Sequence, residues 1–496
     1  MKEIVSVENM RKSDAYTIEN YISSRQLMYK AGQGVYDSVN WQGKTLIVAG
    51  SGNNAGDGYV LSLILKENGK DSTILLLSER LSPDGEYYFN KCKDAGIEIL
   101  TYNDKTSLDG YDIIVDCIFG TGFKGEVSGV ARDVIEKINK SKAYVVSVDI
   151  NSGLNGDSGM CHLCVESDLT VSIGTLKSGH ILNMAKDKIG ALVNCDIGIK
   201  IIDKPYYLIE KEDIGGYFPK RKSFSHKGNY GYIALIGGSF EYSGAIRLAN
   251  MSASAMRLGS GVVKVVAPES ICHAIMPSIL ESTLFPLSER DGAIKFCQDE
   301  IKSALGNVKA VAVGMGMGQR GDNRELISYI LNNYEIPLVI DADGLSGIDL
   351  DEIKNSKCTV VLTPHLKEFE RLSGVAIKEI ESAPIFHAKE LAKKSGAIVL
   401  LKGPCTIVTD GESVLLSNTG SPSMASAGSG DVLSGILCSL LGNSALKGTA
   451  LERVAIGAFI NGYAGECSAR ELGETSALAS DTAKHIARAI KELTSI

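Results

Sequence analysis

Near its C-terminal quarter this 496-residue chain runs "SPSMASAGSG" and then "DVLSGILCSLLG", so one aspartate, Asp431, stands between small residues and an apolar segment. Small residues let the backbone approach a ligand closely, and the apolar segment predicts a buried helix starting at Asp431. Unpaired amides at a helix start favour an anion. A carboxylate placed beside a bound phosphate has a use if it acts as a base. A second motif, "VAGSGNNAGDGYVLSLIL", sets a glycine-rich loop between a predicted strand and helix, with Asn53, Asn54 and Asp57 in the loop and Gly50 and Gly52 allowing the turn. It lacks the GK[ST] ending of a Walker loop and departs from the dinucleotide fingerprint. Its polar side chains would equally serve to satisfy turn backbone and cap the helix. Asp116 ends the strand-like "YDIIVD" and Asp149 ends "VVSVD". Strands of an open α/β sheet converge at their carboxyl ends on one crevice. Asn, Asp and Ser oxygens carrying little charge suit a hard, low-charge cation better than zinc. An acid at such a strand end can also carry a proton.

The later part of the chain has weaker signals of the same kind. Gly244 and Ala245 begin a predicted helix rich in small residues, "SGAIRLANMSASAMRLG", where the small residues serve packing and the helix start could border a ligand. "VGMGMG", which includes Gly316, follows a strand and reads either as a phosphate loop or as a tight turn; Gln319 stands where a dinucleotide fingerprint has its last glycine. His365 follows the strand-like "TVVLTP", and Lys402 and Gly403 end "AIVLLKG". A lone histidine or lysine is by default a solvated surface group; the strand-end positions raise the interest of these two.

The elements that must position these residues alternate. "KTLIVAG", "STILLLS", "YDIIVDCIFG" and "AYVVSVDI" predict strands, separated by the helices "GYVLSLILKENG", "PDGEYYFNKCKDAG" and "VARDVIEKINKS". Such alternation implies a parallel sheet covered on both faces. "LTVSIGTLK" and "ALVNCDIGI" add strands, and the first 40 residues carry helical spacing. A polar, mixed stretch at 203–227 predicts a boundary, after which strands resume at "GYIALIGG", "GVVKVVAPE", "KAVAVGMGMG", "IPLVIDADGL", "CTVVLTPH" and "AIVLLKG". "TIVTDGESVLLS" predicts a hairpin turning at Asp-Gly, and the last ~70 residues read as alanine-rich helix.

Composition limits the function classes. Hydrophobic residues at 44% and charged residues at 22% are ordinary for a globular chain. A net charge of -8 argues against a nucleic-acid partner. No apolar stretch reaches membrane-spanning length, and the opening residues lack the apolar core of a signal peptide. Eleven cysteines, several in strand-like runs (Cys117, Cys195, Cys358), fit free thiols in a reducing cytoplasm. The one CxxC, Cys161–Cys164, has no second pair, so plain buried thiols are favoured over zinc or redox chemistry.

The set "GSGNNAGDG", "DCIFGTGFKGE" and "VDINSGLNGDSG" resembles the YjeF N-terminal, or NAD(P)HX epimerase, family over about the first 210 residues. The resemblance implies a Rossmann-like three-layer sandwich that epimerises hydrated NADH and NADPH at C6 of the nicotinamide ring. It implies K+ held by Asn54, Asp116 and Ser152. Substrate contacts would come from Asn53, Asn54, Ala55, Gly56 and Asp57, from Gly120, Thr121, Gly122, Phe123, Lys124, Gly125 and Glu126, and from Asp149 as acid/base. The chain has Ala55 where the family often has glycine and Asn151 where it usually has proline.

"NTGSPSMASAGSGDVLSG" resembles the ribokinase-like signature, in which a glycine turn at a helix start forms an anion hole and the following aspartate is the base. With "HKGNYGYIALIGGS", "TPHLKEFERL" and "LLKGPCTIV", it looks like the ADP/ATP-dependent NAD(P)HX dehydratase family over residues 215–496. The fold implied is an α/β sandwich. The reaction implied is phosphorylation of the C6 hydroxyl of (6S)-NAD(P)HX followed by loss of phosphate. Ala245, Gly316, His365 and Asp431 would contact the hydrate. Lys402, Gly403, Pro404, Cys405, Thr406 and Gly430 would contact the nucleotide, with Mg2+ accompanying it. Leu366, Lys367, Ser423 and Ala427 depart from the family's usual prolines and glycines. Both families commonly self-associate. A small-alcohol kinase of the hydroxymethylpyrimidine or hydroxyethylthiazole type, with an inactive N-terminal docking module, is the alternative.

Overall fold

The computed structural model describes residues 1–253 and 258–495; the part of the expected small-residue helix that falls on 254–257 lies outside the described residues. The chain divides into two compact units, residues 3–206 and residues 207–496 with 1–2. The division falls inside the polar stretch at 203–227, because Tyr207 and Leu208 pair with Leu415 and Leu416 of the second unit.

In the first unit seven parallel strands order as Glu98–Thr101, Ser72–Leu76, Thr45–Ala49, Ile113–Cys117, Tyr144–Val148, Ser167–Ile173 and Ile189–Cys195. Thr45–Ala49 is wholly buried, as a parallel strand covered on both faces must be. Helices Ser24–Asp37, Asn53–Glu67 and Pro83–Asp94 pack on one face or edge, and Gly129–Lys140 on the other. From Thr45–Ala49 the chain passes first to Ser72–Leu76 on one side and later to Ile113–Cys117 on the other. This is the topological switch point, where ligands of open α/β sheets bind.

In the second unit the strands run Thr283–Leu287, Val262–Pro268, Tyr232–Gly237, Ala310–Met315, Leu338–Ile340, Val360–Leu362 and Ile398–Leu401, all parallel. The expected hairpin follows as Thr406–Thr409 against Val414–Ser417, both antiparallel to their predecessors. Helices Ser243–Ala253, Ser429–Gly442, Ala450–Leu472 and Ala479–Thr494 cover one face, and Gln298–Leu305, Asn323–Asn333 and Leu350–Asn355 the other. The switch point here lies between Tyr232–Gly237 and Ala310–Met315.

Two helix starts differ from expectation. The helix after the first glycine turn begins at Asn53, so Asn53–Asp57 form its first turns and do not lie in a loop. Its N-cap is Gly52, with no side-chain cap bond, so the polar residues there do not cap it. The helix carrying Asp431 begins two residues earlier, at Ser429, after Gly428 in a left-handed conformation (φ 94°).

Candidate active sites

At the switch point of the first unit a cavity of about 540 Å³ is lined by Asp14, Asn53, Asn54, Asp57, Gly120–Phe123 and Asp149 among others. Asp149 caps its strand in a left-handed conformation (φ 65°), which Asp tolerates better than most residues. One carboxylate oxygen accepts from the Thr121 amide at 3.1 Å and the other from Lys177 Nζ at 2.5 Å. Lys177 is fully buried and also donates to the Ile173 carbonyl at 2.7 Å. The pair is oriented by a buried imidazole: His180 Nδ1 accepts the Lys177 amide at 3.0 Å, which leaves Nε2–H to donate to the Asp149 carbonyl at 2.7 Å. Burial and then the Lys177 charge bring His180 down to about 4, so the ring is neutral at pH 7.

Burial alone would raise Asp149, but the Lys177 ammonium beside it holds it below the usual carboxylate range. Asp57 is pushed well above that range by burial, with the charges of Asp149 and Asp14 adding to it. Asp14 moves up for the same leading reason. One cavity thus holds a carboxylate pushed down by a buried cation beside two carboxyls pushed up by burial, the arrangement that separates a base from an acid.

Beneath the cavity, Asn54 Nδ2 donates to the carbonyls of Phe119 and Val148 at 2.9 and 3.0 Å, while its buried Oδ1 has no partner. Ser152 Oγ bonds Asp116 at 2.5 Å and the same Phe119 carbonyl at 3.2 Å. Asp116 is completely buried on neutral donors: Ser147, Ser152 and the Ile118 amide. Burial raises its carboxyl, and those donors draw it back. Asn54, Asp116 and Ser152 therefore converge as predicted. Other predicted residues do not face the cavity. Ala55 is buried in the core, and a Cβ at Gly56 would meet Met28 at 2.5 Å, so both serve packing of the helix against Ser24–Asp37. Lys124, Gly125 and Glu126 lie outside the cavity lining and are exposed.

In the second unit Lys402 Nζ lies 2.7 Å from Asp341, whose other oxygen accepts from Ser434 at 2.7 Å; Thr363 donates at 2.8 Å. The Lys402 amide bonds the Pro364 carbonyl, joining the two strand ends. A Cβ on Gly430 would stand 3.2 Å from Lys402 Nζ, so the lysine reaches the helix start. The first helical amides have no intrahelical acceptor, and Ser429 Oγ is buried without a partner. Asp431 sits in this first turn. Burial, then the charge of Asp341, raise it to about 7 against the pull of Lys402. Gly316 (φ 64°) touches the turn before Ser243–Ala253: an added Cβ would meet Ala245 Cβ at 2.7 Å and the Tyr242 carbonyl at 2.5 Å. Those two predicted residues are neighbours. His365 is half-exposed and caps helix Leu366–Ser373, its Nδ1 accepting the Lys367 and Glu368 amides at 3.1 and 3.3 Å. Thr406 opens the hairpin, with Cys405 buried beside it.

Sequence reasoning missed Lys177, His180 and Asp14 in the first site and Asp341, Thr363 and Ser434 in the second. A lysine closing the apolar run "LTVSIGTLK" was the available signal for the first, and an acid ending "IPLVID" for the second.

Two family models match. One described as "NAD(P)H-hydrate dehydratase" covers residues 233–490, and one described as "YjeF-related protein N-terminus" covers residues 24–179. The chain is 32% identical over 507 residues to a bifunctional NAD(P)H-hydrate repair enzyme of Moorella thermoacetica, covering 96% of this chain and 94% of the relative. A relative of the same description from Thermofilum pendens is 30% identical over 518 residues, covering 99% and 97%. Among solved structures, an ADP/ATP-dependent NAD(P)H-hydrate dehydratase from Bacillus subtilis, co-crystallised with ATP and Mg2+, is 27% identical with a TM-score of 0.51, covering 58% of this chain and 99% of that one.

Proposed function

The chain belongs to the family of bifunctional NAD(P)H-hydrate repair enzymes, and on that premise we propose how its residues divide the work. The protein interconverts the R and S hydrates of NADH and NADPH and dehydrates the S form to NAD(P)H at the expense of ADP or ATP. The small-alcohol kinase alternative fails because the relatives match both halves in one chain.

In the first unit the substrate carbon carries a hydroxyl next to the ring nitrogen. Inverting it breaks and remakes the C6–O bond. The hydroxyl takes a proton and leaves as water while the ring nitrogen lone pair forms the iminium. Water then adds to C6 from the other face and gives up a proton. Asp149, held below the usual carboxylate range by Lys177, is the base; Asp57, pushed well above that range by burial, is the acid. Asn54, Asp116 and Ser152 would hold K+. The unpartnered Asn54 Oδ1 and a buried carboxylate on neutral donors fit a monovalent oxygen-bound ion. Bound there, K+ would supply the counter-charge that Asp116 lacks. Lys124, Gly125 and Glu126, exposed and outside the cavity lining, reach substrate only from the rim.

In the second unit Asp431 takes the proton of the C6 hydroxyl as that oxygen attacks the terminal phosphorus of the nucleotide. The amides of Ser429–Asp431 and the Lys402 ammonium receive the developing charge. Loss of phosphate from C6 and of a proton from C5 then restores the ring double bond. Mg2+ would arrive with the nucleotide and neutralise its phosphates. Ala245, Gly316 and His365 border the hydrate, and Lys402–Thr406 with Gly430 border the nucleotide.

The observation that carries this reading is Asp431 in the first turn of a helix whose start lies against Lys402, in the same chain as Asp149 bonded by the buried Lys177 in the first unit's cavity. The test supplies both epimers of hydrated NADH with ATP or ADP, K+ and Mg2+, and follows NADH absorbance. Complete recovery is expected. Asp149→Asn should stop fast recovery near the S fraction, and Asp431→Asn should abolish it. Full, rapid recovery in the Asp149→Asn chain would remove that residue from the mechanism.

A further inference from the structure

The one CxxC of the chain lies in the loop that follows the Asp149 strand, and neither half-reaction uses it. Cys161 Sγ and Cys164 Sγ are 3.1 Å apart, closer than two sulfurs pack without a hydrogen bond between them. Closing a disulfide at about 2.05 Å would need only about 1 Å of movement. The two thiols differ in access: Cys161 is half-buried and Cys164 is buried. Their electrostatics differ in the same sense. The bond from Cys164 lowers the Cys161 thiol, which the Lys188 ammonium also favours, whereas Cys164 is raised. The accessible sulfur is the nucleophile and the buried one is the resolving thiol. Among the described residues no group of three His, Cys, Asp or Glu gathers for a metal, so a zinc site is not completed here.

The pair is attached to the epimerase site at both ends. The backbone around Cys164 is pinned: its carbonyl accepts from Asn139 at 2.9 Å, the next amide, Val165, donates to the Ser152 carbonyl at 3.0 Å, and Asn151 donates to the Val165 carbonyl at 2.9 Å. Ser152 is one of the three residues assigned above to K+. On the other side His162, next to Cys161, lies 3.3 Å from Glu126, which ends the segment that begins at the cavity wall. With Cys164 fixed, the movement that closes the bond falls on Cys161 and His162, and through His162 on the Gly120–Glu126 segment.

We propose that Cys161 and Cys164 form a thiol–disulfide exchange site that slows the epimerase half when oxidised by a low-molecular-weight disulfide such as oxidised glutathione. The Cys161 thiolate attacks one sulfur of RSSR, forming Cys161–S–S–R and expelling RS⁻. Cys164 then loses its proton and attacks Cys161 Sγ, expelling the second RS⁻. The products are the protein disulfide and two equivalents of reduced thiol. The effect on rate rests on the assignment of the first unit as the epimerase; the exchange itself does not.

The full-length chain is equilibrated in glutathione buffers of increasing oxidised fraction and quenched with an alkylating reagent. Peptide mass spectrometry then reads the 161–164 peptide, and both half-reactions are assayed on the same samples. The expected result is loss of both alkylation sites on that peptide, with two hydrogens lost. The epimerase rate should fall on the order of tenfold with the dehydratase rate unchanged, and dithiothreitol should restore it. Cys164→Ser should trap a glutathione adduct on Cys161, and Cys161→Ser should make the epimerase rate indifferent to the buffer. Both thiols remaining alkylatable at every ratio would overturn the proposal, as would an adduct trapped on Cys164 in the native chain. A disulfide that leaves the epimerase rate unmoved would overturn the coupling. Loss of both half-reactions together would point to unfolding and overturn it equally.

Discussion

Replacing Lys177 by Met tests the central feature of the first site. Lys177 is fully buried and bonds Asp149 at 2.5 Å, and methionine keeps about the length of its side chain without the charge. Breaking a buried ion pair by removing one partner costs roughly 3–5 kcal/mol, chiefly because the surviving charge is left uncompensated. The expected result is destabilisation of that size in the first unit alone. The chain has one tryptophan, Trp41, buried in the first unit, so denaturant unfolding followed by its fluorescence reports that unit. Asp149→Asn combined with Lys177→Met removes both charges, and the double variant should recover most of the loss while remaining without epimerase activity. The interaction energy from this cycle should be about 2–4 kcal/mol. A single Lys177→Met variant within ~1 kcal/mol of the parent would refute the reasoning. So would a double variant no more stable than the single one, because the penalty would then come from packing and not from charge.

Three further outcomes follow from the same geometry. His180 is held at about 4 in the folded chain against about 6.5 unfolded, so the unfolded state takes up the proton first. The first unit should therefore lose stability as pH falls below about 6.5, by roughly 2 kcal/mol between pH 7.5 and pH 5, read by Trp41 fluorescence, and His180→Gln should flatten that dependence. Asp431, raised to about 7, must be ionised to act, so dehydratase kcat/KM for the hydrate should climb about tenfold from pH 6 to pH 8. Lys402→Met should move that midpoint upward by about one unit or more, and a midpoint that stays put would remove Lys402 from the electrostatics of the base; the nucleotide's own ionisation is common to both chains. Gly316→Val would force a Cβ into the Tyr242 carbonyl and Ala245, so dehydratase activity should fall at least tenfold with epimerase activity intact.

The strands were legible because buried parallel strands are unbroken apolar runs, and "KTLIVAG" or "AIVLLKG" can hardly be anything else. The residues at their carboxyl ends were legible for the same reason, which is how Asp116, Asp149 and Lys402 were found. Asp341 obeys the same rule at the end of "IPLVID", where the apolar run shows a strand but not the lysine 61 positions on that its carboxylate meets. Lys177 was hidden differently: it ends a short strand, and nothing in its neighbours shows that it folds back 28 positions onto Asp149. Ala55 and Gly56 sat inside a matching motif, but helical geometry turns every third or fourth side chain inward. A contiguous stretch such as 53–57 cannot all face one cavity once it is helical. The resemblance supplied the reaction; the pairings around Asp149 and Asp431 needed three dimensions.

The helix that carries Asp431 is buried from Val432 to Gly442, with Gly435 seated against the Ala249 carbonyl and Gly442 against Ile233. The rod is wedged from Val432 onward, and its partly exposed end is the first turn that carries Asp431. The base is therefore carried on an anchored rod, and the partly exposed turns before it, Ser421–Gly428 and Phe240–Gly244, are where the chain has room to give as hydrate and nucleotide enter and products leave. Substitutions at exposed positions of those turns, such as Phe240 and Ala425, should tune entry and release while leaving the anchored rod in place.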